Sequence, residues 1–154
     1  MCIRDRICGA PLLIAVVLHF MAPFSIPLGT LAPFAVLVGV ALALAGLALI
    51  TLARRQFARF GQPTDPGHPT RRLVKTGVFS ISRNPLYLGG FLMAAGIGLA
   101  FNLAWGLLLL VPAVAGCHFV LVLPEERYLA AKFGEEYQAY AASVKRWIGR
   151  TRRD

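Results

Sequence analysis

Residues 85–124, "PLYLGGFLMAAGIGLAFNLAWGLLLLVPAVAGCHFVLVLP", contain no Asp, Glu, Lys or Arg. A backbone inside hydrocarbon must satisfy its own amides and carbonyls, so such a run folds as helices of roughly 20 residues or as strands of a closed barrel. Barrel strands alternate apolar with polar side chains, and this Leu/Ala-rich run does not. Helix is therefore predicted, and the length calls for two. Asn102, inside "FNLAW", is the natural turn residue between spans at 85–101 and 103–123.

Two further apolar runs lie upstream, at about 7–24 and 31–53, and the second carries no charged residue. The expected fold is an all-α integral membrane protein of about four transmembrane helices in a single domain, 1–154. A hydrophobic share of 57% and a mean hydropathy of +0.65 agree with that class. "MCIRDRI" places a basic start before an apolar run, as signal peptides do, but no A-x-A cleavage site follows, so a retained first helix is expected.

Charge orients the spans. The connection 54–84 holds Arg54, Arg55, Arg59, Arg71, Arg72, Lys75 and Arg83 against Asp65, while "SIPLGT" and the Asn102 turn hold no charge. Basic residues next to spans stay on the cytoplasmic side, so both termini are expected there, with size and composition suggesting a bacterial inner membrane. The net charge of +9 sits beside membrane spans, where anionic headgroups are the nearer partner; nucleic acid is not expected. Cys2, Cys8 and Cys117 show no paired spacing, so neither a disulfide framework nor a metal site is indicated.

Pro63, Pro66 and Pro69 with Gly61 and Gly67 exclude helix from "FGQPTDPGHPT". Past the fourth span, Tyr128, Leu129, Phe133, Tyr137, Tyr140 and Val144 share one helical face. They predict an interfacial helix over 125–148, bent at Gly134.

The polar candidates cluster at the edges of the spans. Asn84 and Pro85 read as N-cap and first position of a helix, with Arg83 snorkelling to headgroups. That plain account leaves unexplained Tyr87 one turn in, and Gly89 and Gly90 behind it, which permit close approach of a backbone or ligand. Glu125 and Glu126 are paired carboxylates at a membrane boundary, where they need hydration, helix N-terminal amides or a cationic ligand. His118, seven residues before Glu125, would share its face about 10 Å away in an unbroken helix. A haem between His19 and His118 is a competing arrangement, but the topology puts the two at opposite membrane faces.

Taken together these residues carry a resemblance. "TGVFSISRNPLYLGGFL" is similar to the Gly-x-[Tyr/Phe]-x-x-x-Arg-[His/Asn]-Pro-x-Tyr-x-Gly signature of the isoprenylcysteine carboxyl methyltransferase family and its phospholipid methyltransferase relatives. The order His118, Glu125–Glu126, "FGEEYQAY" and "VKRWI" resembles the family's second block. The resemblance covers about residues 30–149.

It implies a helical membrane enzyme that takes S-adenosylmethionine from the cytoplasm and a lipophilic methyl acceptor from the bilayer. It also implies roles. Arg83 and Glu125 would be catalytic, and Asn84, Pro85, Tyr87, His118, Glu125, Glu126, Tyr137 and Tyr140 would contact the cofactor. Arg83 would take a carboxylate, the two glutamates the ribose hydroxyls or ammonium, and the tyrosines the adenine or sulfonium. Isoprenylcysteine-type carboxyl O-methylation is the first expectation; phospholipid or small-molecule methylation and a non-catalytic or haem-binding membrane protein are the alternatives. Two positions depart from the family. Asn84 stands where His is frequent, which removes an imidazole proton but keeps hydrogen bonding. Ala142 and Ser143 stand where basic residues are common, which bears on how an acidic acceptor would be held.

Overall fold

A computed structural model describes residues 13–61 and 72–151, so most of the Pro/Gly loop and the start of the chain, including Cys2 and Cys8, lie outside the described residues. The described residues are helical, with no strand beyond a single bridge between Val144 and Arg150.

α1 is helical over 13–21 and stops ahead of Pro23, because a residue before proline is pushed out of the α region. α2 (Ala32–Arg59) runs past its expected end at 53, since neither Gly nor Pro interrupts the chain before Gly61. Its added turns carry Arg54, Arg55 and Arg59, which suit the negative end of the helix dipole. α3 (Pro85–Ala100) and α4 (Ala104–Cys117) follow.

Beyond α4 the helix does not end. A single π-turn, His118–Val122, in which the Leu123 amide donates to the His118 carbonyl, leads directly into α5 (Leu123–Phe133). Pro124 accounts for the wide turn: its ring and missing N–H conflict with a regular i−4 bond. The expected 125–148 helix is therefore a continuation of the preceding span. It breaks at Gly134, whose φ of 51° and ψ of −124° are open to glycine, and resumes as α6 (Glu135–Ser143). Residues 144–150 then form a tight loop in place of the last helical turns, with Lys145 N–H donating to Gly149 O at 2.8 Å.

Gly29–Arg59 and Ala104–Phe133 are long and apolar enough to cross a membrane; α3, at 16 residues, is a shorter apolar helix. Phe34, Leu37 and Leu44 of α2 are exposed, an apolar exterior suited to lipid.

α2 and α3 pack antiparallel through small residues. Gly39, Ala43, Gly46 and Ile50 meet Gly89, Met93, Gly96 and Ala100, each series stepping by four, three and four. A Cβ on Gly46 would fall 2.5 Å from the Gly89 carbonyl oxygen, and one on Gly96 would strike the Ala43 amide. Two backbones in this contact leave no space for a side chain. Gly89 therefore serves α2, and a Cβ on Gly90 would meet nothing within 4 Å.

At the far end of α3, Asn102 takes a left-handed φ of 51°. Its Nδ2 donates to Ile26 O at 2.9 Å, and its Oδ1 accepts from Ile26 N at 3.0 Å. Trp105 Nε1 donates to Ala22 O nearby. At the near end the extended segment after Arg72 lies between α2 and α6. Val74 turns to Ala53 and Phe79, while its neighbour Leu73 turns to Tyr137, Tyr140 and Val144, the alternation expected of an extended chain.

Candidate functional site at the Asn84 end

α3 begins at Pro85, fully buried, with Asn84 before it. Asn84 occupies the N-cap position without capping by its side chain. Only its carbonyl enters the helix, accepting from Leu88 N at 3.0 Å. Its amide instead points across the site, donating to Arg146 O at 3.3 Å and Glu126 Oε1 at 3.4 Å, while Ser82 Oγ accepts from the Asn84 amide N–H.

The two glutamates diverge. Glu126 is chelated by Arg146, whose Nε lies 3.0 and 3.1 Å from the two oxygens and whose Nη2 lies 2.8 Å from Oε2; Arg83 Nη1 stands at 3.4 Å. With a side chain only 11% exposed, Glu126 has its lone pairs met by the protein, which corrects its expected place against a cofactor. Glu125 is exposed and accepts from Tyr87 Oη at 3.0 Å. Neither carboxylate serves a helix dipole, because the continuous α4–α5 helix leaves no free N-terminal amides there.

Arg83 does not snorkel. Its side chain is 13% exposed and its Nη1 donates to Tyr137 Oη at 3.2 Å, while its Nε is buried without a hydrogen-bond partner among the described residues. Tyr137 and Tyr140 lie in the core under α6, in edge contact with each other, and Tyr140 Oη donates to Phe79 O at 2.7 Å. Burial pushes the Tyr137 phenol up, helped by the negative Glu126 and opposed by Arg83. Burial raises Tyr140 as well, again against Arg83. The hydrogen bonds to Glu126 hold the Arg146 guanidinium more firmly protonated still. Packed faces withdraw both rings from ligand contact at the Glu125 side, a correction to the expectation that they stack on a cofactor. Tyr140 does border a separate cleft of about 330 Å³ between α6 and residues 75–80, with Lys75, Glu136 and Arg150 on its walls.

Aromatic rings at the Glu125 side come from elsewhere. Phe91, one turn beyond Tyr87, lies 5.8 Å from the Trp147 ring, and His118 lies 6.0 Å from the same ring. His118 Nδ1 is buried without a hydrogen-bond partner among the described residues. The π-turn between His118 and Glu125 re-phases the helix, so the simple seven-residue alignment does not hold. His19 is in α1, one turn before the Ala22 carbonyl that meets Trp105, whereas His118 meets Trp147 at the other end of α4. Some 20 Å of helix separates positions 105 and 118, which removes a haem held by both imidazoles.

A family profile described as phospholipid methyltransferase matches residues 34–136. The chain belongs to the phospholipid methyltransferase family. No match was found among curated proteins or solved structures. Membership in this family, with two apolar helices of spanning length, indicates membrane association. The stretch matched to the phospholipid methyltransferases takes in Arg83, Asn84, Pro85, Tyr87, His118, Glu125 and Glu126. Tyr137, Tyr140, Arg146 and Trp147 lie beyond it.

Sequence reasoning missed Arg146, Trp147, Ser82 and Phe91. For the first two the signal was the basic-aromatic "VKRWI", which a helix extended to 148 hides among surface residues. The loop instead returns to the site. Gly149 N–H donates to Ile81 O at 2.8 Å, and Arg83 N–H donates to Lys145 O at 3.3 Å.

Proposed function

We propose that this chain is a membrane methyltransferase that takes S-adenosylmethionine from the cytoplasm and methylates a lipophilic acceptor from the bilayer. In this reading α1 to α4 cross the membrane, and the Asn84 end, flanked by Arg54, Arg55, Arg59 and Lys75, faces the cytoplasm. The observation that carries it is an exposed carboxylate set among rings: Glu125 on Tyr87, with Phe91, Trp147 and His118 at the same end.

The residues fit such a methyl donor. Glu125 can accept hydrogen bonds from its ammonium or ribose diol, oriented for this by the Tyr87 hydroxyl. His118 Nδ1 and Arg83 Nε, both buried without partners among the described residues, leave polar atoms for a ligand to satisfy. When bound, the donor supplies an electrophilic methyl on a sulfonium, whose charge is lost on transfer. The protein's task is then alignment of the two reactants away from water, and the Arg146–Glu126 chelate holds the surrounding groups for it.

A carboxylate acceptor of the isoprenylcysteine type needs no general base. A phospholipid amine is the second reading, favoured by the family description and by His118 Nδ1, which can receive the proton that an amine sheds. Labelled methyl transfer into whole membranes tests both. Base-labile label released as methanol marks a methyl ester, and base-stable label marks an N-methyl product. Glu125→Gln is expected to abolish transfer in a chain that still folds in detergent; full activity would remove Glu125 from the site.

A further inference from the structure

Trp147 has no part in the core. It is half-buried, at the tip of the 144–150 loop, with Phe91 of α3 on one side and His118 of the α4–α5 helix on another, at 5.8 and 6.0 Å between ring centres. Several contacts fix it there. Its neighbour Arg146 is locked in the Glu126 chelate, the loop closes on itself through Lys145 and Gly149, and Gly149 bonds to Ile81 just before the Arg83–Asn84 corner. Gly149 adopts a φ of 114°, a backbone shape that suits glycine and turns the chain back at this point.

A tryptophan placed this way is costly to explain as surface. Its ring spans the seam between two apolar helices, on the side where Tyr87 and Glu125 meet. Trp offers the strongest π face for a cation, and a sulfonium is a cation that cannot donate a hydrogen bond, so an aromatic face is the natural protein group to receive it.

We propose that Trp147 is a cofactor-contacting residue whose ring receives the sulfonium of S-adenosylmethionine, with Phe91 and His118 holding its plane. The proposal rests on the methyltransferase reading above and adds a specific consequence. The product, S-adenosylhomocysteine, keeps the adenosine and amino-acid ends but carries a neutral thioether. Trp147 therefore favours donor over product, which helps the spent cofactor leave.

The test is calorimetric titration of the full chain in detergent with each of the two ligands. Trp147→Leu is expected to weaken S-adenosylmethionine by about 10-fold, the range of a desolvated cation–π contact, and S-adenosylhomocysteine by less than about 2-fold. Trp147→Phe, which keeps an aromatic face and guards against misfolding, is expected to recover most of the difference. Equal weakening of both ligands, or of neither, overturns the proposal while leaving the methyltransferase reading in place. Failure of the unaltered chain to bind either ligand overturns that reading and this proposal with it. A second readout uses the two tryptophans of the chain. With Trp105→Phe, Trp147 is the sole emitter, and its fluorescence is expected to change on adding S-adenosylmethionine; an unchanged spectrum with bound ligand counts against contact.

Discussion

Two asparagines stand at the two ends of α3 and do opposite work. Asn102 closes a bracket: both halves of its amide bond to the backbone of Ile26, and its φ of 51° turns the chain into α4. Asn84 opens outward: its amide reaches an ionised side chain and a carbonyl from a loop 62 residues away. The first ties structure to structure. The second ties the start of a helix to the residues that surround Glu125. An asparagine at a helix end is thus no guide to function by itself; what its amide reaches is.

The most drastic way to break this contrast is to separate α3 from α2, which disables both ends together. Gly96→Leu forces a side chain into the Ala43 backbone and is expected to cost about 4 kcal/mol or more, enough to lose the monodisperse folded species on size exclusion. Next comes the chelate. Arg146→Met leaves Glu126 largely buried beside only Arg83 and Asn84, a loss of about 2–3 kcal/mol in thermal or denaturant melting. Glu126→Gln in the same chain is expected to restore most of it, a coupling that a double-mutant cycle reads directly.

The asparagines themselves give the sharpest comparison. Asn102→Ala removes two hydrogen bonds and strains a positive φ, for about 2 kcal/mol, with ligand affinity per folded molecule unchanged. Asn84→Ala is expected to cost only about 1 kcal/mol of stability yet weaken S-adenosylmethionine binding several-fold. If Asn84→Ala altered stability alone, the two residues would be equivalent and the contrast would fall. The smallest effect is alkaline. Tyr137 and Tyr140 have phenol pKa values raised by burial, so the folded state holds their protons more tightly than the unfolded chain does. Their contribution to stability is full below about pH 10 and declines above it, once the unfolded phenols ionise. Tyr137→Phe is expected to flatten that decline in melts taken between pH 9 and 11.

Much of this was legible in the chain. The uncharged run from Pro85 gave helices, and "SRNP" with "PEER" gave the corner and the carboxylates, because apolar length and charge placement are local signals. The roles within the site were less so. Glu125 and Glu126 are adjacent and alike in sequence, and only the position of Arg146 separates the carboxylate that is held from the one exposed. The tyrosines at 137 and 140 looked like ligand contacts because an amphipathic face does not say whether it meets a pocket or a core. Trp147 was hidden by the opposite error, helix assumed where a loop turns back.

The π-turn at His118–Val122 has a consequence for how this family can vary in length. One residue removed inside it would let the helix relax to an ordinary α-turn, with every hydrogen bond still made and stability little changed. Everything downstream would nevertheless rotate by roughly 100° about the helix axis, carrying Glu125 away from Tyr87 and Glu126 away from Arg146. The number of residues between Cys117 and Leu123 is therefore as much a determinant of the site as the side chains that line it.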